Sequence, residues 1–139
     1  MKISHSLSLA LLACAFSTVA FADGVVVIVN KSNTNPVDKG LVAKIYTGES
    51  RIWDGGGSIT AYDLPEDNLL REDFDGAIVG KSEAALKKLW GQNVVTGKAL
   101  PPKVAASDED VKRAVAANKN AIGYIQASKL DDSVKVALR

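Results

Sequence analysis

The sequence predicts a single α/β domain in three layers, a mixed sheet flanked by helices. Three observations carry this. Val25-Val26-Val27-Ile28-Val29 is an unbroken β-branched run, the pattern of a strand buried on both faces. After it, strand-period and helix-period segments alternate along the chain, which builds a sheet with helices packed on its faces. The stretch from Ser58 to Val79 shows the alternation within one unit. Ile59, Ala61 and Asp63 fall on one side of a strand, with Thr60 and Tyr62 on the other. A polar turn, Asp63 to Asn68, follows, and then Leu70, Phe74, Ala77 and Ile78 recur at helical spacing.

Ahead of the first strand lies a positive start, Met1-Lys2, an apolar run from Leu7 to Ala22, and Ala20-Phe21-Ala22. This is the pattern of a secretory signal peptide cleaved after Ala22, and it predicts export to the periplasm. The run is too short and too broken by Ser and Thr to favour a membrane-spanning helix. A rival reading takes Leu11-Leu12-Ala13-Cys14 as a lipoprotein site; the residues after Cys14 stay apolar, unlike a lipid-anchored tether. Cleavage removes the only Cys and the only His, so no disulfide, no zinc or copper site and no Ser-His or Cys-His catalysis is expected. Removing Lys2 takes the charge count from 17 basic and 16 acidic to 16 of each. Net neutrality argues against nucleic acid as a partner. The ~117 remaining residues suffice for one domain with a real core.

In chain order, Asn30 to Pro36 is a polar loop. Asp38 caps a helix that carries Leu41, Val42, Ile45 and Tyr46 on one face and stops at Gly48. Arg51 to Gly57 is a turn with Trp53 as a packed anchor. Its three glycines precede a strand, so they do not form a phosphate loop, which needs a following helix. Asp67 or Asn68 caps the helix of the Ser58–Val79 stretch. Ser82 caps the next, Glu83 to about Val94, expected to bury Leu86, Leu89, Trp90 and Val94. Thr96 to Pro102 is a connector, and Lys103 to Ala106 a short strand. Ser107-Asp108-Glu109-Asp110 opens a helix that buries Val111, Ala114 and Val115. Ala121 to Ile125 is a strand in which Gly123 implies close backbone approach, and Val134 to Leu138 an alternating edge strand.

A strand delivering a polar turn onto a helix N-terminus is a candidate anion site, since free N–H groups and the positive dipole end point at one spot. The candidates are Glu66, Asn68, Leu69, Leu70 and Arg71, with Arg71 adding a full charge. The plain alternative is an ordinary strand-to-helix connection with Arg71 solvated. An enzyme would have to use Asp54, Glu66 or Asp67 with Arg71, a weak set without His, Cys or metal, so no enzyme is expected.

Ile45-Tyr46-Thr47-Gly48, Arg51-Ile52-Trp53-Asp54-Gly55, Arg71-Glu72-Asp73-Phe74, Leu89-Trp90 and Ala121-Ile122-Gly123-Tyr124 follow one another in this order. In that order the chain resembles the PstS-like phosphate-binding proteins of ABC importers, and most closely short members with a single PBP domain. The resemblance runs from about Val25 to Ala127. It implies one lobe of the periplasmic-binding-protein type II fold, spanning residues 23–139, where full-length members close two lobes over the anion. It also implies a solute-binding role, with a phosphate-like anion and an importer or sensor as partners. Leu64, Glu66 and Asn68-Leu69-Leu70 stand where the family has an Arg, an acidic residue and Ser-Gly-Thr, so weak or altered anion binding is expected. The alternative is a non-catalytic accessory lobe that docks on a transporter, a sensor or its own copy. A homodimer would use an exposed face bearing Leu64, Leu69 and Leu70.

Overall fold

The computed structural model describes residues 24–139. The leader, its cleavage after Ala22 and Cys14 lie outside the described residues. The elements are β1 (Val25–Val29), α1 (Lys39–Tyr46), β2 (Thr60–Asp63), α2 (Leu69–Phe74), a π-helical turn (Asp75–Val79), α3 (Glu83–Val95), β3 (Lys103–Val104), α4 (Asp108–Ala117), β4 (Ala121–Gln126), a 3-10 turn (Ala127–Lys129) and β5 (Lys135–Leu138). The sheet is mixed, in the order β3-β2-β4-β1-β5. β2 runs parallel to β3 and β4, while β1 runs antiparallel to β4 and β5. The expected α/β class and mixed, helix-flanked sheet are therefore what the chain adopts.

Each helix begins where a short polar side chain answers its first free N–H. Asp38 accepts from Leu41, Asn68 from Leu70, Ser82 from Ala85 and Ser107 from Asp110. Val26 to Val29 are buried, as are Ala121, Ile122, Tyr124 and Ile125 of β4, so these strands form the centre of the core. Gly123 is where α4 touches the sheet: a Cβ there would stand 2.5 Å from Val111 Cγ1. Gly48 (φ 81°) ends α1 in the left-handed region and lets α3 approach, a Cβ there meeting Asn93 Nδ2 at 2.9 Å. Trp53 is the expected anchor, its indole N–H donating to Asn120 O at 3.0 Å.

Three expectations are corrected. On the face through Leu70, Phe74, Ala77 and Ile78, Ile78 packs against the core as expected but Ala77 is exposed, because the helix widens into the π turn after Phe74 and buries Asp75 and Val79. Val94 is 48% exposed, and Leu89 and Trp90 are only half-buried, because α3 is a surface helix whose inward contacts are Leu86 and Asn93. Asn93 is buried because its Nδ2 donates to Thr47 O at 3.0 Å. Leu64, expected on an exposed face, is fully buried beneath the turn, whereas Leu69 is 76% exposed.

Candidate functional site

The last residue of β2, the first turn of α2 and the π turn converge on one group, Asp63, Arg71 and Asp75. Arg71 leaves α2 on the inner side and folds back under the turn. Its Nη1 donates to Leu64 O at 2.8 Å. Its Nε lies 3.5 Å from Asp63 Oδ1 and 3.8 Å from Asp75 Oδ2, is sealed from solvent and makes no hydrogen bond. It thus holds both carboxylates by charge alone, without the directed N–H···O bonds of a bidentate pair.

Beneath the carboxylates lies an aromatic trio. Phe74 stacks on Tyr124 with centroids 3.8 Å apart, and Tyr46 meets Phe74 edge-on at 4.7 Å. Tyr124 donates its hydroxyl to Asp63 Oδ1, which also accepts from Leu64 N at 2.9 Å. The Tyr46 hydroxyl donates to Tyr62 O at 2.7 Å. Burial among these groups, with Asp63 and Asp75 nearby, holds the Tyr46 hydroxyl well above its usual range. Burial and the Asp63 charge do the same to Tyr124. Burial also pushes Asp63 up, against the hydrogen bond from Tyr124 and the Arg71 charge, which favour its ionised form. Asp75 is pushed up to about 6, first by burial and then by Asp63, with Arg71 opposing.

The two carboxylates open into a groove of about 810 Å³ between the end of β2 and α3. One wall is apolar, made by Leu86, Trp90, Val94, Pro101, Pro102 and Val104. Trp90 is oriented there by its indole N–H, which donates to Tyr46 O at 3.1 Å. Asp63, Glu66, Asp75 and Glu83 face Arg71 and Lys87 around the groove, so its charged side chains sum to net negative.

The expected anion residues are all in this neighbourhood but point apart. Glu66 and Leu69 are exposed, and Asn68 and Leu70 are half-buried. The N–H of Leu70 is taken by the Asn68 side chain, and that of Arg71 by Asn68 O at 3.1 Å. Arg71, whose side chain is 18% exposed, is spent on Asp63 and Asp75 and is not the free cation that solvation or anion binding would require. Sequence reasoning passed over Asp75, Tyr46 and Tyr124 as polar groups. The signals were present: Asp75 stands four residues after Arg71, and Asp63 falls on the apolar side of its strand.

Three solved structures share this architecture. One is of a candidate phosphate ABC transporter substrate-binding protein with bound phosphate from Clostridium perfringens (26% identity, TM-score 0.67), matched over 84% of this chain and 46% of that one. Another is an ABC-type phosphate transport receptor from Vibrio cholerae (22%, 0.64), matched over 82% and 45%. The third is PstS from Borrelia burgdorferi (14%, 0.60), matched over 82% and 46%. This chain thus spans less than half the length of each structure it matches. No family model and no curated protein matches it by sequence.

Proposed function

We propose that the protein is an exported, non-catalytic solute-binding module, working in the periplasm with an ABC importer or a sensor. The observation that carries this is the match of nearly the whole described chain to one half of a phosphate-bound receptor. The leader pattern, with cleavage after Ala22, supports export, and intact mass of the secreted protein tests it. Among the described residues no helix is long and apolar enough to cross a membrane.

Phosphate itself is disfavoured at the turn of Glu66, Asn68, Leu69, Leu70 and Arg71. The helix dipole contributes only ~0.3–1 kcal/mol where water has access. Asn68 already occupies two of the first N–H groups, Arg71 is neutralised, and Glu66 and Asp67 add repulsion. The expected phosphate Kd is about millimolar or weaker. Titration calorimetry at low salt tests this, and a micromolar constant would overturn the reading of the turn.

A second reading, an accessory lobe that docks on a transporter, a sensor or its own copy, rests on the exposure of Leu69 beside this turn. Sedimentation velocity over a range of concentrations distinguishes it. Self-association lost in Leu69→Ser supports a homodimer through this face, and a concentration-independent monomer that cross-links to no importer or sensor component counts against it.

A further inference from the structure

The groove beside α3 has the chemistry of a receptor for an organic cation. Its apolar lining includes Leu86, Trp90, Pro101 and Val104, and Asp63 and Asp75 line it as well. A volume of about 810 Å³ lies in the range of small-ligand sites, which pair apolar walls with a few placed polar groups. Asp75 is the second, independent observation. Its residue is 4% exposed and lines the groove, yet no hydrogen bond acts on its carboxylate, and its nearest cation is Arg71 Nε at 3.8 Å. Its oxygens therefore keep capacity for a donor and for a closer counter-charge from the groove side. Arg71 supplies these only in part, its Nε standing 3.8 Å from Asp75 and 3.5 Å from Asp63 while its Nη1 donates to Leu64 O. A second cation entering from the groove would supply both.

Metal ions fit poorly. Among the described residues no group of three or more His, Cys, Asp or Glu is placed to hold one. The apolar wall would also have no role in binding a hydrated ion. We infer that the groove binds a small organic ammonium ion, its charged head on Asp75 and Asp63 and its hydrocarbon body against Trp90 and Pro101. This rests on the solute-binding reading and names the ligand class of that module. It exchanges the anion of the similar receptors for a cation because the turn here carries carboxylates and a neutralised arginine.

The test is a calorimetric titration of the purified protein with phenethylammonium and hexylammonium chloride at pH 7.5, with inorganic phosphate in parallel. The expected result is saturable binding of at least one ammonium ion, together with a change in Trp90 fluorescence that Trp90→Phe abolishes. Asp75→Asn is expected to raise the Kd by about tenfold or more, the loss of one charge-assisted hydrogen bond. Asp132→Asn, an exposed carboxylate away from the groove, leaves it unchanged. Thermal melts show whether each variant is folded; if Asp75→Asn fails to fold, Asp63→Asn and the Trp90 signal carry the same decision. Ammonium binding that neither carboxylate substitution alters overturns the inference. Saturable phosphate binding with no ammonium binding also overturns it while leaving the solute-binding module standing. Silence toward both ions and toward a wider panel of small solutes removes the module reading as well.

Discussion

At the scale of single residues, Asp63, Arg71 and Asp75 are two acids sharing one base in a place of restricted water. Because Asp75 has its pKa raised to about 6 in the fold, the native state holds its proton more tightly than the unfolded chain does. The stabilisation from protonating Asp75 is thus fully present below its unfolded pKa and is lost as pH rises through about 6. Asp75→Asn should therefore stabilise the protein at pH 7, by roughly 1–2 kcal/mol once water at the groove mouth is allowed for. Near pH 4 the gain should vanish. Urea unfolding at the two pH values reads this, and an equal effect at both would refute it. Arg71→Ala has the opposite sign, because it leaves both carboxylates without their cation. It should cost on the order of 3 kcal/mol at neutral pH, so it unfolds more readily and is no clean probe of anion binding. Tyr124→Phe removes the donor to Asp63 and the acceptor for Leu64 N, which lies 3.2 Å from the hydroxyl. A loss of ~1–3 kcal/mol in the same denaturant series is expected.

Elements are joined at a few close contacts, and these make sharper tests than the helices themselves. Gly123→Ala would drive a methyl into Val111 Cγ1 and crowd Val115, so α4 must lift from β4. Overpacking of this kind costs ~1–3 kcal/mol, and a melting temperature unchanged by the substitution would show that α4 is not seated on the strand. Trp90 belongs to the opposite case. Full burial in α3 would make its truncation cost ~3–5 kcal/mol, but Trp90 is half-buried and lines the groove. Trp90→Ala should therefore fall below that range, near ~1–3 kcal/mol, most of it from α3 packing and the bond to Tyr46 O. The π turn explains why α2 cannot be read as one amphipathic helix. Asp75 N–H reaches the Arg71 and Glu72 carbonyls, and Gly80 N–H reaches Asp75 O, which rotates the later side chains off the first stripe.

For the whole molecule, the carboxyl ends of β2 and β4 and the amino end of β1 lie at one side of the sheet. The turn after β2 and the mouth of the groove are on that side too. Leu69 stands on this side, 76% exposed. Water access limits what any ligand can gain there, since charge interactions at ~4 Å fall from ~4 kcal/mol at a protein surface to ~1 in bulk water. Salt should weaken ammonium binding for the same reason, and a Kd insensitive to ionic strength would argue against a carboxylate-centred site.

Much of this protein was legible in its residues. The β-branched run of β1, the caps Asp38, Asn68, Ser82 and Ser107, and the glycines at 48 and 123 each report local physics that a sequence expresses directly. So did the order of short motifs that pointed to a phosphate-receptor lobe, an architecture the structure shares. The state of the candidate site was decided only by the tertiary structure. Arg71 looked like a free cation at a helix start because nothing local says that Asp63, eight residues back on a strand, folds against it. Asp75 was passed over because the π turn that buries it packs against α1, which local propensity does not express. Charge in a site is a sum over groups brought together from separate elements. A linear sequence names those groups, but only the fold decides which of them neutralise one another.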